Sequence, residues 1–380
     1  MWRWPLALCS AVVLLAPAPA AAAWVAGWTA AAFPATPVLT DRDVRDYGGA
    51  TVRQEMTVDA AGARLRVRMT NALGTAPLAF EAATVEIDGR SLPLSFGGHA
   101  GAALPAGASL ASNPVRAPVR RFQRIAVTVS YGPDARPAAH LLTVTVRYPD
   151  GHRRTGRGPA LAACIEVDRR GTGRVLVALG DSVTEGARAA PQSFTGWPEM
   201  LAARLAALPR HRDWSVVNAG IHGNRLLRDG AGPNALARFD RDVLAVAGVT
   251  DVLLLEGIND IGWGNAKPAS DGPVRAEDVI AAYRQIIARA HAAGLRVIGA
   301  TLPPFRGSIY HTPAGEAVRQ AVNQWVRGAG AFDAVVDFDR AMADPADPSR
   351  LDPAKDSGDH LHPSDAGYAA MAAAIDPATL

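Results

Sequence analysis

The sequence predicts an all-β sandwich followed by an α/β domain on a parallel sheet. Three observations carry this: a period-two pattern through residues 24–150, a polar glycine-rich stretch after it, and apolar runs alternating with helical stretches beyond residue 173. The chain has 380 residues, 49% of them hydrophobic. That is enough for two cores, since a single core stops growing near ~250–300 residues.

Residues 1–23 carry the pattern of an export signal. Arg3 supplies a positive start, Leu6 to Leu15 an apolar run, and Ala20 to Ala23 the small residues preferred at a cleavage site. The run is too short to span a bilayer, and no later stretch approaches the ~18 apolar residues a membrane helix needs. The expected destination is therefore secreted or periplasmic, with no stable membrane anchor. Cys9 would leave with the signal. Cys164 then remains as a lone thiol in an apolar setting, expected to be buried and inert.

In residues 24–150, Arg64 to Met69 alternates polar and apolar and places Leu65, Val67 and Met69 on one face. Ile125–Val129 and Leu142–Val146 repeat the pattern, and Asp88–Gly89 is a hairpin turn between two short strands. Short strands at this spacing, with no helical run among them, imply a sandwich of jelly-roll type. Asp150–Gly158 is polar and rich in glycine, and residues 151–172 are expected to form a linker.

From 173 to 380, strand-length apolar runs at Val175–Ala178, Val216–Val217, Val252–Leu255, Val297–Thr301 and Val335–Val336 alternate with helical stretches. Alternation of this kind means βαβ units and a parallel sheet covered on both faces. Chemistry in such sheets sits at the carboxyl ends of the strands.

At those ends stand the residues that could do chemistry. Gly180–Asp181–Ser182 follows the first strand, and a serine at a strand-to-helix turn exposes its hydroxyl beside the N–H groups of a helix start. A simple helix cap is the bland alternative. Near the C-terminus, Asp359–His360–Leu361–His362–Pro363 precedes a final helix over Asp365–Ile375. A serine hydroxyl needs a base, and the base needs a group that fixes its tautomer. Asp359 three residues before His362 can do this in a turn, with His360 as the rival base. Asn218 to Asn224 and Glu256 to Asp260 end the second and third strands and offer backbone N–H groups and an Asn amide.

These four segments resemble the four sequence blocks of the SGNH (GDSL-like) hydrolases, in order. The resemblance implies a flavodoxin-like three-layer α/β/α domain with a five-stranded parallel sheet. It implies Ser182, His362 and Asp359 as catalytic triad, with the N–H groups of Ser182 and Gly223 and the side chain of Asn259 as oxyanion hole. No cofactor or metal is implied, and the nine histidines show no HExxH spacing.

Asn218–Asp242 and Ser357–Pro363 further resemble the branch typified by bacterial xylan esterases. The implied partner is then a small-molecule or polysaccharide ester, with acetyl groups on carbohydrate as the expected target. Asp181 and Trp263 are candidates for substrate contact. Trp197 is expected in the core. The competing readings are a broad arylesterase or lysophospholipase, an acyltransferase to sugar, and an inert carbohydrate-binding protein. Nucleic acid is disfavoured: the net charge is only +3, and basic residues are scattered and paired with acids, as in Arg238–Asp242.

Overall fold

The computed structural model describes residues 23–34, 47–137, 142–169, 171, 173–189, 196–266 and 272–380. The expected signal segment 1–23 lies outside them except for Ala23, which begins the first strand.

Among the described residues, thirteen strands build the first region. They are β1 (Ala23–Thr29), β2 (Thr51–Val58), β3 (Gly62–Thr70), β4 (Leu78–Phe80), β5 (Ala82–Ile87), β6 (Arg90–Pro93) and β7 (Ala102–Leu104). There follow β8 (Ser109–Ala111), β9 (Val115–Val119), β10 (Gln123–Ser130), β11 (Leu142–Arg147), β12 (Arg153–Gly158) and β13 (Ala162–Arg169). Two antiparallel sheets dominate, one ordered β1-β13-β3-β8 with β9 also on β3, the other β12-β11-β2-β10-β5-β6. Leu65, Val67 and Met69 are fully buried between them, as the alternation requires. Asp88 and Gly89 both take positive φ (49° and 74°), the type I′ geometry that suits a two-residue hairpin.

One expectation fails here. Residues 151–172 are not a linker: they carry β12, an edge strand on β11, and β13, which lies between β1 and β3. The chain thus returns to the sandwich once more before entering the second region. Cys164 lies in β13, buried, with its thiol pushed well up by burial.

The second region has a five-stranded parallel sheet of β14 (Val175–Gly180), β15 (Ser215–Gly220), β16 (Val249–Leu255), β17 (Arg296–Ala300) and β18 (Ala334–Val336). Its order, β15-β14-β16-β17-β18, is flavodoxin-like, with the first strand inside the second. The order reverses beside β14, and that is where ligands bind in doubly wound sheets. The helices are α1 (Ser182–Glu185), α2 (Trp197–Ala206), α3 (Ala235–Phe239, continued by a π turn over Asp240–Leu244) and α4 (Ile258–Ala266). After them come α5 (Ala276–Ala292), α6 (Pro313–Gly328), α7 (Phe338–Met342) and α8 (Asp365–Ala374). No described helix is long and apolar enough to cross a membrane.

The two regions share one continuous hydrophobic core. β15 is the edge of the parallel sheet, and the sandwich satisfies its outer backbone groups. Val216 N–H donates to the Asp59 carboxylate (2.7 Å) and the Thr29 hydroxyl donates to the Asn218 carbonyl (2.7 Å). Covering an open edge in this way removes a pairing surface. Asp59 is buried, and burial raises its carboxyl to about 6 although the Arg121 guanidinium opposes this.

Candidate active site

Ser182 is the first residue of α1, placed at the carboxyl end of β14 as the parallel-sheet rule requires. Asp181 caps the helix: its carboxylate accepts from Val183 N–H at 2.9 Å. Gly186, at φ 95°, ends the helix after four residues. The helix therefore acts mainly as a device for presenting Ser182.

The Ser182 hydroxyl lies 2.9 Å from Nε2 of His362. Nδ1 of the same ring lies 2.8 Å from the Asp359 carboxylate. Asp359 is itself fixed: it accepts from the N–H groups of His362 (2.8 Å) and Leu361 (3.1 Å), from the Ser357 hydroxyl (3.2 Å) and from Arg188 Nε (3.2 Å). Burial would raise the Asp359 carboxyl, but the donors from His362 and Leu361 outweigh it and hold the group well below the ordinary carboxylate range. His362 moves the other way. Burial lowers its pKa, Asp359 opposes that, and His222 and Arg188 add to the lowering. A ring that stays neutral near neutral pH, with one nitrogen facing a hydroxyl, is poised to accept its proton.

His360 is not brought to Ser182. It adopts φ 61° and its Nδ1 pairs with Asp356 at 2.6 Å, while its ring packs beside Gly307. The two histidines thus point apart from the same turn.

Ser182 N–H and Gly223 N–H donate to no protein group among the described residues. Gly223 sits at φ 71°, a conformation that favours glycine, and follows β15 by three residues. Asn259, in the first turn of α4, is 2% exposed and donates one amide hydrogen to the Asn224 carbonyl at 2.8 Å. That leaves its second hydrogen available. Asp260 beside it accepts from Leu226 (2.6 Å) and Leu227 (2.9 Å), which ties the loop after β15 to α4. The four segments therefore converge, and the arrangement can carry acyl transfer: a hydroxyl, a base, an orienting carboxylate and donors in one place.

Asp181 is 1% exposed and its carboxylate, which burial raises to about 7, is committed to the cap of α1. Trp197 is fully buried against Phe338. Trp263 is half-buried and packs on Tyr310, with ring centres 5.8 Å apart.

Sequence reasoning missed three residues. His222 lies parallel to His362 at 5.8 Å, within 3.4 Å of Glu185. Arg238 is fully buried and donates to the carbonyls of Gly180 (2.9 Å) and Ala219 (2.7 Å) and to the Asn224 side chain (2.8 Å). It therefore links the ends of β14 and β15 to the residue that receives Asn259. Glu256, at the end of β16, is also fully buried. Its nearest described cation is Arg238, 3.6 Å away, and neither of its carboxylate oxygens has a hydrogen-bond partner among the described residues. His222 and Glu256 lie within the Asn218–Asn224 and Glu256–Asp260 segments, and Arg238 forms an ion pair at 3.2 Å with Asp242 four residues on.

Residues 178–370 match the profile of the GDSL-like Lipase/Acylhydrolase family. Comparison with curated proteins finds no match. Similar solved structures include an acetylxylan esterase from Geobacillus stearothermophilus, 25% identical, covering 54% of this chain and 93% of its own, with a TM-score of 0.41. Another is a lipolytic protein of the G-D-S-L family from Desulfitobacterium hafniense, 21% identical, covering 53% and 97%, with a TM-score of 0.41.

Proposed function

The chain belongs to the GDSL-like lipase/acylhydrolase family and is thus a carboxylic ester hydrolase, and we infer that it uses Ser182, His362 and Asp359 to cleave short acyl esters, acetyl above all, on carbohydrate. The observation that carries the triad is the unbroken line from the Ser182 hydroxyl through the His362 ring to Asp359, at 2.9 and 2.8 Å.

In this mechanism Ser182 Oγ attacks the ester carbonyl while Nε2 of His362 takes the hydroxyl proton. Asp359 holds the tautomer with Nδ1–H toward itself and stabilises the imidazolium. The tetrahedral oxyanion is received by Ser182 N–H, Gly223 N–H and the free amide hydrogen of Asn259. Collapse expels the alcohol, which receives the proton from His362. Water then attacks the acyl-enzyme, giving its proton to His362, and the acid leaves as Ser182 is restored.

The carbohydrate part of this reading draws on the likeness of Asn218–Asp242 and Ser357–Pro363 to the xylan-esterase branch. Export, by the segment 1–23, would place the enzyme where polysaccharides are met. The test is hydrolysis of p-nitrophenyl esters from acetate to palmitate by wild type and Ser182→Ala, with acetate release from acetylated xylan. Ser182→Ala should lose at least ~10³-fold in kcat while keeping its circular dichroism and thermal midpoint. A variant that keeps most of its activity would remove Ser182 from the mechanism. A preference for long chains would move the substrate to lipid esters.

A further inference from the structure

Between the two regions lies a cleft of about 730 Å³, within the ~300–1,000 Å³ range in which small ligands are held. One wall is the outward face of β2, β11 and β12. The other is the turn after Ser182, from Glu185 to Ala189. Glu185 closes the helix that Ser182 begins, and Arg188 in that turn donates to Asp359. None of Ser182, His362 and Asp359 lines the cleft, and Arg188 is the side chain that bridges it to Asp359.

Its chemistry is unusual for an interdomain gap. Four arginines line it, yet each has a carboxylate partner: Arg53 with Glu86, Arg124 with Glu55, Arg157 with Glu185, Arg188 with Asp359, all at 2.7–3.2 Å. A charge-balanced wall gives a free anion no unpaired cation to hold, and its polar surface suits an acyl chain poorly. It does suit a neutral chain rich in hydroxyls. Thr143, Thr145 and Thr155 place hydroxyls on neighbouring strands, with Thr145 and Thr155 3.0 Å apart. Trp28 supplies an indole surface. Glu185 and Glu199 also border the cleft, but their buried Oε2 atoms face inward, that of Glu185 toward His222 Nδ1 at 3.4 Å.

We propose that this cleft is a glycan-binding site in which the sandwich holds the neutral oligosaccharide chain whose acyl group is presented to Ser182. This rests on the carbohydrate-ester reading and adds to it a role for the sandwich as one wall of the substrate site.

The test compares two substrates and one ligand. Thr145→Trp fills the cleft from an outward-facing position remote from the chemistry, and Thr143→Trp, at an exposed site on the same strand, serves if the first disturbs folding. Thr145→Trp should leave kcat/KM for p-nitrophenyl acetate within twofold. It should lower kcat/KM for acetylated xylo-oligosaccharides at least tenfold, through KM, and abolish calorimetric binding of unacylated xylohexaose. If both variants hydrolyse the oligosaccharides like wild type, the cleft is not the glycan site, and the carbohydrate reading survives without it. If wild type cleaves p-nitrophenyl acetate, releases no acetate from the oligosaccharides and binds no xylohexaose, both readings fall. Xylohexaose binding that Thr145→Trp removes, without acetate release, would keep the cleft and overturn the ester assignment.

Discussion

Glu166 in the sandwich and Glu256 beneath the Ser182 turn are both completely buried carboxylates, and their surroundings differ sharply. Glu166 pairs with two arginines, with Arg66 at 2.5 Å and with Arg68, and so returns most of what burial costs. The Glu256 carboxylate has Arg238 at 3.6 Å and no hydrogen-bond partner among the described residues, because Arg238 directs its donors to carbonyls and to Asn224. Burial, with Asp181 and Asp260 close by, raises the Glu256 carboxyl well above its ordinary value, and Asp260 itself is raised to about 6 by burial. Glu166 is arranged for stability. Glu256, at the carboxyl edge of the parallel sheet, is buried without such compensation, as is common around sites of chemistry.

The sharpest break in this comparison is a change that touches chemistry alone. His362→Ala should lower kcat/KM for p-nitrophenyl acetate at least ~10³-fold, since nucleophile and base act as a unit. His360→Ala, in the same turn but paired with Asp356, should cost less than tenfold. Steady-state kinetics of the two decide it, and the reverse order would exchange their roles.

Arg238→Met tests whether the buried cluster holds the strand ends. Removing one member of a buried pair should cost about 3–5 kcal/mol of unfolding free energy. Glu166→Gln should cost less, because Arg66 and Arg68 are roughly one-third exposed and water can solvate them once freed. Urea unfolding of both variants measures this. An equal loss would mean that the two regions bury charge on the same terms.

How much of this was legible follows the same division. Val252 and Val297 announced strands because a parallel strand buried on both faces reads as an apolar run. β12 was silent: Arg153, Thr155 and Arg157 face out, Arg154 and two glycines fall between, and an edge strand of that composition has no hydrophobic period. Ser182, His362, Asp359 and Asn259 were legible since each belongs to a short contiguous segment. The pairing of Arg238 with Glu256 was not, for they meet only when β14, β15 and β16 align, and a buried arginine looks in sequence like any surface one.

Asn259→Ala removes one oxyanion donor without touching the triad. By analogy with other such holes, kcat should fall by ~10²–10³ with KM nearly unchanged. A loss confined to KM would make Asn259 a binding group, and its contact with Asn224 would then be its main role.

The smallest effect probes the seam between turn and triad. Arg188, 63% exposed, lowers the pKa of His362 and pairs with Asp359, the group that raises it. The base works when neutral, so kcat/KM rises with pH through the His362 pKa, below the ordinary value of 6.5. Arg188→Gln removes a repelling charge and frees Asp359 to attract, and both changes raise that pKa. The acid limb should therefore move to higher pH. The move should be about 0.1–0.7 of a pH unit, because exposed pairs are worth about 0.2–1 kcal/mol and one unit is about 1.4. It should shrink in 1 M salt, where the Debye length is about 3 Å. A pH–rate profile that moves to lower pH, or ignores salt, would show that Arg188 acts on the site by packing and not by charge.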